Sequence, residues 1–79
     1  MNIKDYIRQS EFKMTLKKNI IDVENFTDIG NISEKEIVIY NEDQTIKILG
    51  NKLVIKKLLN YEILIYGNYY NILIKDIDE

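Results

Sequence analysis

Apolar and polar positions alternate along most of this chain. Phe12, Met14 and Leu16 alternate strictly. After Lys17-Lys18-Asn19, Ile21 and Val23 continue on one face, with Ile20, Glu24 and Phe26 on the other. A period of two puts successive side chains on opposite sides of a strand, so these stretches predict two strands joined by a turn. Thr27 to Glu34, around Gly30-Asn31, breaks the alternation and reads as a loop. Ile37 and Ile39 resume it. A polar loop, Asn41-Glu42-Asp43-Gln44, then sets Ile39 opposite Ile46 and Ile37 opposite Ile48. A slip of one residue would turn that buried face outward, so the pattern fixes the register.

Two Gly-Asn pairs then stand in similar settings, Ile48-Leu49-Gly50-Asn51-Lys52-Leu53 and Ile65-Tyr66-Gly67-Asn68-Tyr69-Tyr70. Each predicts a two-residue hairpin turn, because glycine readily supplies the positive φ that such turns require. Turns at Gly50-Asn51 and Gly67-Asn68 would pair Ile48 with Leu53, Ile46 with Ile55, Ile63 with Ile72, and Ile65 with Tyr70. The expected core is Ile37, Ile39, Ile46, Ile48, Leu53, Ile55, Ile63, Ile65 and Ile72. The second hairpin would carry a further apolar face of Leu64, Tyr66, Tyr69 and Leu73, a candidate interface. The architecture read from this is all-β, a small antiparallel meander curling into a sandwich or open barrel. A short β-solenoid is the alternative, since apolar strands recur regularly from Ile37 onward. Residues 1–10, with Ile3, Tyr6 and Ile7 at helical spacing, read as a short helix or a disordered tail.

Composition agrees with strands. The chain has 79 residues, sixteen of them Ile, and contains neither Ala nor Pro. Its length gives one domain, residues 1–79, which buries only about 60–65% of its unfolded surface, so a partner would add stability. With no Cys there is no disulfide frame and no thiolate chemistry. With no His the commonest general base is missing. The three glycines lack phosphate-loop spacing. Acidic groups at Glu34/Glu36, Glu42/Asp43 and Asp76/Asp78/Glu79 read as strand flanks and a solvated terminus rather than metal ligands. The expectation is therefore no enzyme, no cofactor and no metal. No apolar run nears membrane-spanning length, so the default is a cytoplasmic protein without a transmembrane segment of its own. The formal net charge of −2 disfavours nucleic acid as a partner. Lys47, Lys52, Lys56 and Lys57 form a candidate anion-facing surface on the first hairpin, or simply a solvated face.

Several segments together resemble a known family. They are Phe12-Lys13-Met14-Thr15-Leu16, Val23-Glu24-Asn25-Phe26, Ser33-Glu34-Lys35-Glu36-Ile37, the run Ile46 to Lys56, and Tyr61 to Gly67 before a terminal apolar strand. Over residues 12–75 the chain is similar to the YabP/YqfC family of small sporulation proteins, closer to the YqfC branch. It departs from the pattern at Gln44-Thr45, where a glycine is usual, and at Tyr61-Glu62, where an acidic pair is usual. The resemblance implies a non-enzymatic protein of the endospore-former mother cell, peripheral at the forespore membrane. Its role would be that of an adaptor or assembly factor for a membrane-anchored protein encoded nearby, with self-association also in view. It carries over no catalytic residues. The competing reading is a small β-barrel that binds nucleic acid or anionic membrane through the lysines.

Overall fold

A computed structural model describes residues 11–77. Residues 1–10, with the expected helix or tail, and residues 78–79 lie outside the described residues. The strands are β1 (Lys13–Lys17), β2 (Ile20–Glu24), β3 (Asp28–Ile32), β4 (Glu36–Asn41), β5 (Gln44–Leu58) and β6 (Glu62–Asp76). They form one antiparallel sheet in the order β1-β2-β6-β5-β4-β3. The all-β expectation holds. Antiparallel neighbours replace the stacked coils of a solenoid.

The first two strands arise where alternation placed them. Met14 lies opposite Val23 and Leu16 opposite Ile21. They turn at Lys18-Asn19, where Asn19 takes φ 62, a region that Asn enters more readily than most side chains. The β4–β5 register is also as expected, Ile37 opposite Ile48 and Ile39 opposite Ile46. Its ladder runs on to Asn41 and Gln44, which tightens the connection to Glu42-Asp43.

The expected loop at Thr27–Glu34 is instead β3. Ile29 faces Ile39 and Ile32 faces Ile37, with a register shift between them that absorbs Gly30-Asn31. That bulge puts two apolar residues three apart on one face, so a strict period of two hides the strand.

The two expected Gly-Asn turns are corrected as well. Gly50-Asn51 and Gly67-Asn68 lie inside two fifteen-residue strands, with Gly50 beside Tyr69 and Asn51 opposite Asn68. The connection between β5 and β6 is Leu59-Asn60-Tyr61, closed by the Leu59 N–H donating to the Glu62 carbonyl at 2.8 Å. Ile46 therefore pairs with Ile74, Ile48 with Ile72, Ile55 with Ile65, and Leu58 with Ile63. Conformational freedom that a turn would use is spent on a bend. Register shifts cluster at Leu49/Gly50, Asn51/Val54 and Ile55/Lys57, Lys52 takes φ 56, and Gly67 takes φ 145. Other segments satisfy the donors freed there. Gly50 N–H reaches the Lys35 carbonyl at 3.0 Å, Leu53 N–H the Glu34 carbonyl at 2.8 Å, and Gly67 N–H the Asn19 carbonyl at 3.0 Å.

The bend divides the sheet into two halves. In one, β1 and β2 continue into Glu62–Tyr66 and Val54–Leu58; in the other, β3 and β4 continue into Gln44–Leu49 and Asn71–Asp76. Their far ends meet through the β2–β3 link. Asn25 N–H bonds the Tyr61 carbonyl, and Thr27 N–H, two residues on, bonds the Tyr40 carbonyl. Two residues of chain span at most about 7 Å, so the ends lie within roughly the 10 Å spacing of packed sheets. The sheet is folded back on itself, and both halves feed one core. Ile21, Val23, Ile63 and Ile65 come from the first half and Ile37, Ile39, Ile46 and Ile48 from the second, with Leu53 at the bend. Ile55 and Ile72, expected inside, pack at the edge of this cluster, while Ile21 and Val23 are fully buried within it.

A Cβ at position 50 would come within 2.7 Å of the Asn68 carbonyl oxygen and 2.8 Å of the Tyr69 Cα. Both are backbone atoms of the paired strand and cannot move aside. Gly50→Val is expected to lower unfolding free energy in a urea titration by about 2 kcal/mol or more, through overpacking. Gly67→Ala, strained in φ and 2.8 Å from the Leu53 Cα, is expected to do the same. Unchanged midpoints for both would refute the close crossing of β5 and β6.

Candidate functional site

Residues directly opposite in an antiparallel pair share a face, so the register places every candidate side chain. Leu64 and Tyr66 lie on the outer face of the first half. Tyr66 sits between Ile20 and Val54, and Leu64 between Asp22 and Lys57. Ile20, Val54, Leu64 and Tyr66 form an apolar patch; Val54 is 48% exposed and Tyr66 39%. Tyr69 does not join them. It packs against the core, and its hydroxyl donates to the Lys17 carbonyl at 2.8 Å, tying the β1–β2 turn to β6. The reason is where the parity of β6 changes. Gly50 pairs with Tyr69 and Leu49 with Asn71, which leaves Tyr70 as the unpaired residue. The switch of faces falls at Tyr70 rather than at Gly67-Asn68. Leu73 is on an outer face, but beyond the bend, opposite Lys47. The four-residue interface expected from the sequence thus separates into a patch around Leu64 and Tyr66, a structural Tyr69, and a distant Leu73.

The lysines also separate. Lys47 lies in the second half between Val38 and Leu73. Lys52 is at the bend. Lys56 stands over the Tyr66 ring, its Nζ 5.7 Å from the centroid. Lys57 Nζ lies 3.6 Å from a Glu62 carboxylate oxygen. These positions do not make one anion-facing surface.

One cluster escaped the sequence reading. Asp22 and Glu24 share a face of β2, and Glu62 lies directly opposite Glu24. The ligand atoms of the three carboxylates lie within 4.8 Å of one another, close enough to share a hard cation, though half-exposed acidic groups meet this way without one. The spacing of Asp22 and Glu24 is visible in the sequence; the arrival of Glu62 depends on the β2–β6 pairing, which is not. One Asp22 oxygen, Oδ1, is buried without a hydrogen-bond partner. Burial, then a hydrogen bond with the Glu62 carboxyl and the negative charges of Glu62 and Glu24, hold the Asp22 carboxyl above its ordinary value, while Lys57 draws it down. Beside this cluster a shallow groove of about 590 Å³ runs between the end of β2 and the β5–β6 connection. Glu24, Asn25, Leu58, Leu59, Asn60, Tyr61 and Glu62 line it. Leu58, Leu59 and Tyr61 expose their side chains there.

No protein-family model, curated protein or solved structure matches the chain. Among the described residues no helix is long and apolar enough to cross a membrane.

A carboxyl whose folded-state pKa lies above its unfolded value binds its proton more tightly when folded. Its contribution to stability therefore falls as pH rises from about the ordinary value of 3.8 through the raised one, and the penalty persists above. Asp22→Asn is expected to melt higher than the native chain at pH 7, with the difference vanishing in acid below that window. An equal or lower melting temperature at pH 7 would contradict the strained cluster. Separately, Tyr69→Phe leaves the Lys17 carbonyl without its donor and is expected to cost about 1 kcal/mol in a denaturant titration.

Proposed function

We propose that this chain is a non-enzymatic sporulation protein of the mother cell, an adaptor that binds a membrane-anchored protein partner at the forespore membrane. The observation that carries the binding role is the patch of Ile20, Val54, Leu64 and Tyr66 on the outer face of β2, β6 and β5. A fully exposed side chain of this kind forgoes roughly 1.5–3 kcal/mol relative to full burial; Val54 and Tyr66 forgo a fraction of that, Ile20 and Leu64 less, and a partner recovers it. An aromatic residue among aliphatic ones, rimmed by the Lys56, Lys57 and Glu62 charges, has the composition of an interface centre with a polar rim. The cellular setting rests on the resemblance of residues 12–75 to the YabP/YqfC family. The competing anionic-ligand reading loses ground to the dispersal of the lysines, two of which already meet Tyr66 and Glu62.

In a sporulating endospore former, a fluorescent fusion of the native chain is expected at the forespore membrane. The Leu64→Lys, Tyr66→Lys double variant, folded by circular dichroism, is expected to spread through the mother cell. A native fusion that never reaches the membrane, or a double variant that still does, contradicts the proposal. Cosedimentation with anionic lipid vesicles lost at high salt would instead support the lysine-based alternative.

A further inference from the structure

An open sheet ends in unpaired backbone, and proteins protect such edges with lysines, bulges or short strands. Because β2 and β4 each cover only half of a long strand, the described residues leave four edges. They are β1, β3, the Val54–Leu58 half of β5 and the Asn71–Asp76 half of β6. Three are guarded. The five residues of β1 begin and end in lysine, β3 is short and bulged, and the β5 edge carries Lys56 and Lys57 beside its own register shift.

The β6 edge has none of these devices at its centre. Ile72-Leu73-Ile74 run in regular register against Ile48, Lys47 and Ile46, with no charge among them. Leu73 is 45% exposed and Ile74 57%. A regular apolar edge strand is a template for another strand.

The sequence of this edge is complementary to itself. In an antiparallel pair about a twofold axis normal to the sheet, opposite residues must share a face, which restricts the allowed registers. Centring the axis on Leu73 sets Ile72 of one copy against Ile74 of the other, twice, and Leu73 against Leu73. It also sets Asn71 against Lys75, so no two like charges meet within the regular edge. Centring on Ile74 would place Leu73 against Lys75 and Ile72 against Asp76. Centring on Lys75 would oppose two lysines. We propose that β6 pairs in this Leu73-centred register with a second copy of the chain, joining two folded sheets into one continuous sheet. This surface lies beyond the bend from the Leu64–Tyr66 patch, so the dimer leaves that patch free and stands independently of the adaptor proposal.

Sedimentation velocity of the full-length protein is expected to show a monomer–dimer equilibrium through the micromolar range. Amide exchange at Asn71–Lys75 is expected to slow as the dimer fills. Leu73→Lys and Leu73→Glu, each folded by circular dichroism, are expected to be monomeric alone, since each opposes its own charge across the axis. Mixed in equal amounts they are expected to dimerise again. A native chain that stays monomeric overturns the proposal. So does a dimer whose β6 amides stay unprotected, or a charge-swapped mixture that fails to associate. Should either variant not fold, the amide exchange of the native chain decides.

Discussion

The structure depends on the point where β5 and β6 bend together. Each strand is fifteen residues long, and each contributes core isoleucines from both of its halves. Straight strands of that length would spread Ile46 and Ile48 far from Ile63 and Ile65 and leave a single-layered sheet wet on both faces. Gly50 and Gly67 let the two backbones approach within a distance that no Cβ would tolerate, and the register shifts around them turn the sheet back on itself. A chain this short has no second sheet or helix among its described residues to cover its apolar face. Folding one sheet in half makes the two layers that a core requires.

The bend also decides what faces outward. The halves diverge from it, so outer-face residues close in sequence, such as Tyr66 and Leu73, end on different halves. The neighbouring strands are too short to cover both halves of a long one, which exposes the β5 and β6 edges. The carboxylates of Asp22, Glu24 and Glu62 meet because β2 lies on β6, and their mutual repulsion is offset only in part by Lys57. The surface chemistry follows from the topology more than from any local motif.

Alternation made much of this legible. The β1–β2 hairpin and the Ile37–Ile48 and Ile39–Ile46 pairs follow from a period of two with polar turns between. Seven of the residues expected in the core are buried: Ile37, Ile39, Ile46, Ile48, Leu53, Ile63 and Ile65. Where backbone irregularity breaks the period, the reading fails. β3 was hidden by its bulge. The Gly-Asn pairs are locally ambiguous, because both structures select glycine: a hairpin turn for its freedom in φ, this bend for the close approach at Gly50 and the φ of 145 at Gly67. What separates them is long-range. The carbonyls of Glu34, Lys35 and Asn19 take up the donors at the bend, and no local window contains them. The expectation that Leu64, Tyr66, Tyr69 and Leu73 share one face failed for the same reason, since misplacing the parity change of β6 turned Tyr69 outward.

Backbone NOEs between strands test the bent pair of long strands most directly. In isotopically labelled full-length protein, cross-strand contacts are expected to link Ile46 with Ile74 and Ile55 with Ile65, carrying one ladder through Gly50 and Gly67. Contacts linking Ile46 with Ile55 and Ile63 with Ile72 would mean two separate hairpins, and would contradict the folded sheet described above.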